Sequence, residues 1–387
     1  MAQVINGIPL NPSEGMDKVT WTDKITKGYF TGDVGKLEAG NIHSASLTDS
    51  NEAYYYGIAK DNTTGSVQFD VAYGNVNGYG SDTDAGAITG KTKAIYKQWA
   101  NILLNPTEVT GGLKISRNSG LSSAPSSATV AAGEDESIYV LVGQRALFKD
   151  RLNKKNWTIV LSGSMSGNNN AAAYTGSNPL VLTDDSANID AISTIAGPRY
   201  NIVSGSQGTV VNAASVRTYG WVYPDQGVMV FSGAELSASI PAAYASASTP
   251  AVYNQGAVTN GQVNTMAFNG FGDTSNVDQD YNNALRFVNC LLPAGAYMQF
   301  RSEEDQTSVS YFCRAKAGQL NFSNSATFRS GSLNEIRNKT MKGNPTVYIT
   351  GVELYDGGGN LVANGKLSTP LKKNFSSEAT IKTKLTF

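Results

Sequence analysis

The last segment of the chain alternates strictly. Ile381, Thr383, Leu385 and Phe387 fall on one side, and Lys382 and Lys384 on the other. A side-chain period of two belongs to an extended strand with one covered face. The same period recurs at Val67, Phe69, Val71 and Tyr73, after the apolar run Tyr54 to Ala59 and the turn-forming Lys60-Asp61-Asn62-Thr63-Thr64-Gly65. Further strand-like runs are Ile138–Val142, Trp157–Leu161, Pro179–Leu182, Val216–Tyr223, Val228–Phe231, Tyr297–Arg301, Val309–Ala315, Thr346–Tyr355 and Leu361–Leu367. A period near 3.6 occurs only twice. Lys91–Leu104 places Ile95, Trp99, Ile102 and Leu103 on one face, and Asp280–Leu292 places Tyr281, Leu285, Val288 and Leu292 on another. Pro106 and Pro293 end these helices. The expected fold is therefore mainly β, with β-sandwich-like sheets and two short helices. The α+β detail lies in the N-terminal module.

Composition agrees. Charged residues are 16% of the chain, against about 25% in an average soluble domain. Forty glycines and nineteen tyrosines suit strands joined by many turns better than long helices. No repeat of fixed period and no heptad pattern occurs, which argues against solenoids and coiled-coil stalks. A length of 387 residues accommodates several domains. Composition shifts place them at 1–110 (β-hairpin plus helix), 111–235 (central β domain) and 271–387 (helix plus β-sheet). A Ser/Ala/Gly/Asn-rich linker over 236–270 separates the last two. The segments 162–178 and 240–265 read as exposed loops.

The formal net charge of −1 supplies no basic excess for nucleic acid. It leaves little repulsion against self-association. The N-terminal residues carry no signal-peptide pattern, and no apolar run is long enough to span a bilayer. Cys290 and Cys313 are too few for a disulfide framework and read as thiols of the core.

Catalytic chemistry finds little support. His43 is the one histidine and sits in no nucleophile motif. A zinc site would lack ligands, and no phosphate loop or calcium loop is present. Glu303-Glu304-Asp305 could serve glycoside hydrolysis but reads more simply as a solvated charged turn, as do Asp184-Asp185 and Asp278/Asp280. We expect no catalytic residue, no metal and no cofactor. Candidate interface residues are Tyr54 and Tyr56, Lys149 and Arg151, and Ile381, Leu385 and Phe387. The tyrosines suit an interface or a core and its rim equally well. The basic run from Lys149 to Lys155 suits an acidic partner or a solvated connection.

Several segments resemble virion structural proteins of contractile-tailed phages, especially marine cyanophages. They include Phe300-Arg301-Ser302-Glu303-Glu304-Asp305, Val309–Ala315, Asn321-Phe322-Ser323-Asn324 and Asn334-Glu335-Ile336-Arg337-Asn338. The closing stretch from Pro370-Leu371-Lys372-Lys373-Asn374-Phe375 to Phe387 is the most specific. Phe148–Asn153, Tyr223–Val228 and the N-terminal hairpin and helix are similar too. The resemblance implies a particle component, tail or baseplate associated, made in the host cytoplasm and located in the virion. Its expected partners are copies of itself and other virion proteins, with no nucleic acid, membrane span or small-molecule substrate. It transfers no catalytic residue. The alternatives are a fibre component binding a receptor or glycan and, on Glu303, Glu304 and Asp305 alone, a glycan-cleaving tail enzyme.

Overall fold

The structure is a computed structural model. It describes residues 16–31, 35–38, 40–46, 55–60, 66–78, 91–115, 134–162, 179–211, 216–236, 284, 287–288, 290–292, 294–321 and 326–387. The chain is mainly β, as its periodicity predicts. It divides into two compact units, a larger one of residues 25–304 and a smaller one of residues 1–24 with 305–387.

Fifteen strands precede the long β16. They are β1 (Met16–Gly28), β2 (Leu37–Glu38), β3 (Ile42–Ser46), β4 (Tyr55–Lys60), β5 (Ser66–Asn75), β6 (Ser137–Gly143), β7 (Arg151–Leu152) and β8 (Thr158–Leu161). Then come β9 (Leu180–Asp184), β10 (Ile192–Thr194), β11 (Gly197–Ser206), β12 (Thr209–Val210), β13 (Thr218–Tyr223), β14 (Val228–Ser232) and β15 (Tyr297–Gln299). The strands from β16 onward are β16 (Arg301–Ala315), β17 (Arg329–Ser330), β18 (Glu335–Ile336), β19 (Val347–Tyr355), β20 (Leu361–Lys373) and β21 (Ala379–Thr386). The helices include α1 (Lys91–Leu103) and the single turn α2 (Gly233–Leu236).

The larger unit is organised by one sheet in the order β2-β15-β8-β9-β11-β13-β14-β6-β5-β4-β3, with β10 and β12 on β11. Both faces are covered. Phe69, Val71, Tyr73, Tyr139, Leu141, Met229 and Phe231 point to one side and pack with Trp157, Phe287 and Phe300. Ala72, Ile138, Val140, Trp221, Tyr223 and Val230 point to the other, under α1. Double coverage explains why β6, β13 and β14 are apolar nearly throughout rather than alternating. This sheet runs across the expected boundaries at 110 and 235–270. β5 pairs with β6 across the first, and β15 pairs with β8 across the second. Backbone pairing unites what composition separates, because Ser- and Gly-rich insertions interrupt the chain without interrupting the sheet.

The covered face of α1 is Thr92, Ile95, Tyr96, Ala100 and Leu103, whereas Ile102 is 46% exposed. Tyr96 shifts the stripe: its hydroxyl accepts a hydrogen bond from the Leu113 amide at 3.0 Å. Of the second expected helix, Ala284, Phe287 and Val288 are helical and buried, and 290–292 form a turn. Residues 281–283, 285, 286 and 289 lie outside the described residues, as do 163–178 and 237–283, which hold the expected linker and both low-complexity loops. The two cysteines form no disulfide.

In the smaller unit β16 pairs with β21 over Ser308–Ala315 and Ala379–Thr386, so the C-terminal strand joins a sheet of its own chain. The amide and carbonyl of Phe387 close this ladder against Thr307. β19 and β20 form a separate two-stranded ribbon joined by Asp356–Asn360. The Asp356 carboxylate ties that loop by accepting from the amides of Gly358 and Asn360 at 2.9 and 2.8 Å.

Candidate docking interface

The carboxylate pairs singled out in the sequence at 184–185 and 303–304 are held by partners inside the larger unit. Glu303 and Glu304 stand side by side in β16, so their side chains leave opposite faces and cannot act on one bond. Glu303 is buried and accepts a hydrogen bond from Arg151 Nε at 2.8 Å. Glu304 pairs with Lys27 at 3.0 Å and with Lys149 at 2.9 Å, and these ammonium groups hold its carboxyl below the usual glutamate range. The expected solvated turn at 303–305 is thus corrected to a strand with three ion pairs. The basic run it was read apart from supplies two of the partners, and Lys27 of β1 the third. Lys149 and Arg151, expected as interface residues, are engaged within their own unit.

Asp184 and Asp185 are corrected likewise, from a solvated turn to fully buried anchors. Asp184 accepts from the amides of Lys155 and Ser186 at 2.9 and 3.1 Å. Asp185 accepts from the amide and side-chain nitrogen of Asn201 at 3.0 and 2.8 Å. Burial pushes the Asp185 carboxyl up to about 6. His43 sits half-buried in β3. Among the described residues no three His, Cys, Asp or Glu side chains converge on a metal-sized site. Tyr54 lies outside the described residues. Tyr56 is half-buried in β4 and packs against the core.

The smaller unit is built differently. Both hydrophobic clusters draw their members from residues 29–300. Among the described residues of the smaller unit, the buried apolar side chains are Val309, Ala315 and Ala379. Ile381 and Leu385 are half-buried and Phe387 is 76% exposed, which corrects the expected buried C-terminal face. Lys382 and Lys384 instead reach the Trp21 ring at 5.8 and 5.2 Å.

The β19–β20 ribbon exposes several large apolar side chains, among them Tyr348, Tyr355, Leu361 and Val362. A register shift between Ile349 and Gly351 matches a switch in which alternate residues face out. Tyr348 opposite Lys372, Gly351 opposite Lys366, and Tyr355 opposite Leu361 therefore share the outer face. Tyr348 is 61% exposed and Leu361 52%. The inner face, Val347, Ile349, Val352 and Leu354, is only half-covered. A two-stranded ribbon of this kind is marginal by itself in water. Its one buried side chain is Lys373, whose ammonium donates to the carbonyls of Ala317 and Gln319 and to Asn321 Oδ1, clamping the ribbon's end to the 317–321 loop. Alternation and turn chemistry predict the ribbon. That its outer face would be exposed was not legible, because the same pattern serves core and interface alike.

No family model, curated protein or solved structure matches this chain.

Proposed function

We propose that the chain is a structural subunit of a tailed phage particle, tail or baseplate associated, that works by oligomerising and holding its neighbours. One observation carries the oligomeric part of this reading. Among its described residues the smaller unit buries three apolar side chains, Val309, Ala315 and Ala379, which leaves little apolar burial to set against ordering entropy, and contacts with neighbouring copies would add to it. The particle itself is supplied by the resemblance of the C-terminal motifs to virion proteins of contractile-tailed phages. The glycan-cleaving alternative is weakened at Glu303 and Glu304, which leave opposite faces of β16 and are held by Arg151, Lys149 and Lys27.

Two measurements test the proposal. Light scattering of the purified protein should show a mass that rises with concentration. Antibody labelling of intact particles should decorate the tail or baseplate. A protein that stays monomeric at every concentration and is missing from the particle would overturn the reading.

A further inference from the structure

The proposed assembly leaves open how one copy meets the next, and the distribution of charge bears on this. The smaller unit has 13 Lys and Arg against 8 Asp and Glu, a formal +5, and the larger unit has 17 against 23, a formal −6. A near-neutral chain is thus a basic unit joined to an acidic one. An interface that set two copies of the smaller unit face to face would oppose like charges. An interface between the smaller unit of one copy and the larger unit of the next would match them.

The larger unit carries a surface of suitable chemistry at the β10–β11 turn. Ile192 is 40% exposed and Ile195 63%, while Asp190, two residues before β10, is exposed. The turn is held in place: Thr194 Oγ1 donates to the Gly197 carbonyl at 2.8 Å, and Asn105 Oδ1 accepts from the Ile195 amide at 3.1 Å. Gly197, at φ +104°, lets the backbone pass close to the Asp225 carboxylate. The result is a fixed corner with aliphatic side chains beside carboxylates. The outer face of the ribbon offers the counterpart, Tyr348 and Leu361 beside Lys366 and Lys372.

We propose that the chain self-associates head to tail, the β19–β20 ribbon of one copy seating on the Asp190/Ile192/Ile195 corner of another. The inference rests on the assembly reading above and adds its partner and polarity. Such an interface is heterologous, so each copy keeps one free ribbon and one free corner, and growth runs on until a ring closes.

Charge reversal at exposed positions tests this by sedimentation. A ribbon variant carries Lys366→Glu with Lys372→Glu, and a corner variant carries Asp190→Lys with Ile195→Lys. Wild-type protein should form multimers that weaken as salt rises. Each variant alone should self-associate about tenfold or more weakly. Their mixture should regain multimers in which the two variants alternate, because every ribbon then meets a corner of opposite charge. A chain with all four substitutions should regain multimers, a rescue that a misfolded chain could not show. If either variant alone assembles like wild type, if the mixture stays monomeric or if the fourfold variant fails to recover, head-to-tail docking is overturned while assembly itself stands. Wild-type protein that never associates would remove the assembly reading as well.

Discussion

Two buried charges show how single residues hold this chain together. Lys373 is fully buried, yet its ammonium has three oxygen partners from the 317–321 loop. Lys373→Met keeps the stem and strands those oxygens without a donor, which should cost about 2–4 kcal/mol locally. Hydrogen exchange of the 317–321 and 371–373 amides should speed up accordingly. Exchange at the wild-type rate would mean the clamp contributes nothing. Asp185 makes a pH-dependent contribution of known sign. Its folded-state carboxyl titrates near 6, above the unfolded value near 4, so the folded state holds the proton more tightly between those limits. Its contribution to stability is fully present below pH ~4 and lost as pH rises through 6, a swing on the order of 3 kcal/mol. Melting temperatures of wild type and Asp185→Asn should therefore converge or cross differently at pH 4 and pH 7, with wild type relatively stronger in acid. Parallel curves would refute the assignment. Neither role was visible in the sequence, where Lys373 reads as a surface lysine and Asp185 as part of a polar turn. Burial of a charge depends on partners far along the chain, such as Asn201.

At the scale of elements, what was legible is what is local. The hairpin of β4 and β5, the hairpin of β13 and β14 around Pro224–Gly227, the helix α1 and the C-terminal strand all announce themselves by period and turn residues. β11 does not: Gly197-Pro198-Arg199-Tyr200-Asn201 begins with residues disfavoured in strands, and only its place between β9 and β13 secures it. β1 is likewise hidden, because its polar alternation carries few apolar residues. The ends of elements also differ in weight. Val309 is buried opposite Leu385, whereas Phe387 is exposed. Val309→Ala should cost about 1–3 kcal/mol, seen as faster exchange of the β16 and β21 amides. Phe387→Ser should change the isolated chain by no more than about 0.5 kcal/mol. A large loss from Phe387→Ser would show that the last residue is covered after all.

For the whole molecule, the division of labour between the units is a division of apolar burial. The larger unit encloses aromatic clusters such as Trp157 stacked on Phe300 at 5.5 Å and Tyr29 on Phe69 at 4.7 Å. Contacts of this density belong to the slow-opening end of a protein's exchange range, and a half-covered ribbon belongs to the fast end. In the isolated chain the amides of β5, β6, β13 and β14 should therefore exchange slowest, and those of β19 and β20 among the fastest of any strand. Limited proteolysis should cut within 347–373 sooner than within those four central strands. Assembly should reverse the order for the ribbon alone: its amides gain protection and its cleavage slows, while the central strands stay as they were. This difference separates a ribbon that docks from one that merely frays. If protection on assembly appears throughout the larger unit and leaves 347–373 unchanged, the uncovered ribbon is not the contact, and the apolar area that the smaller unit lacks is supplied elsewhere.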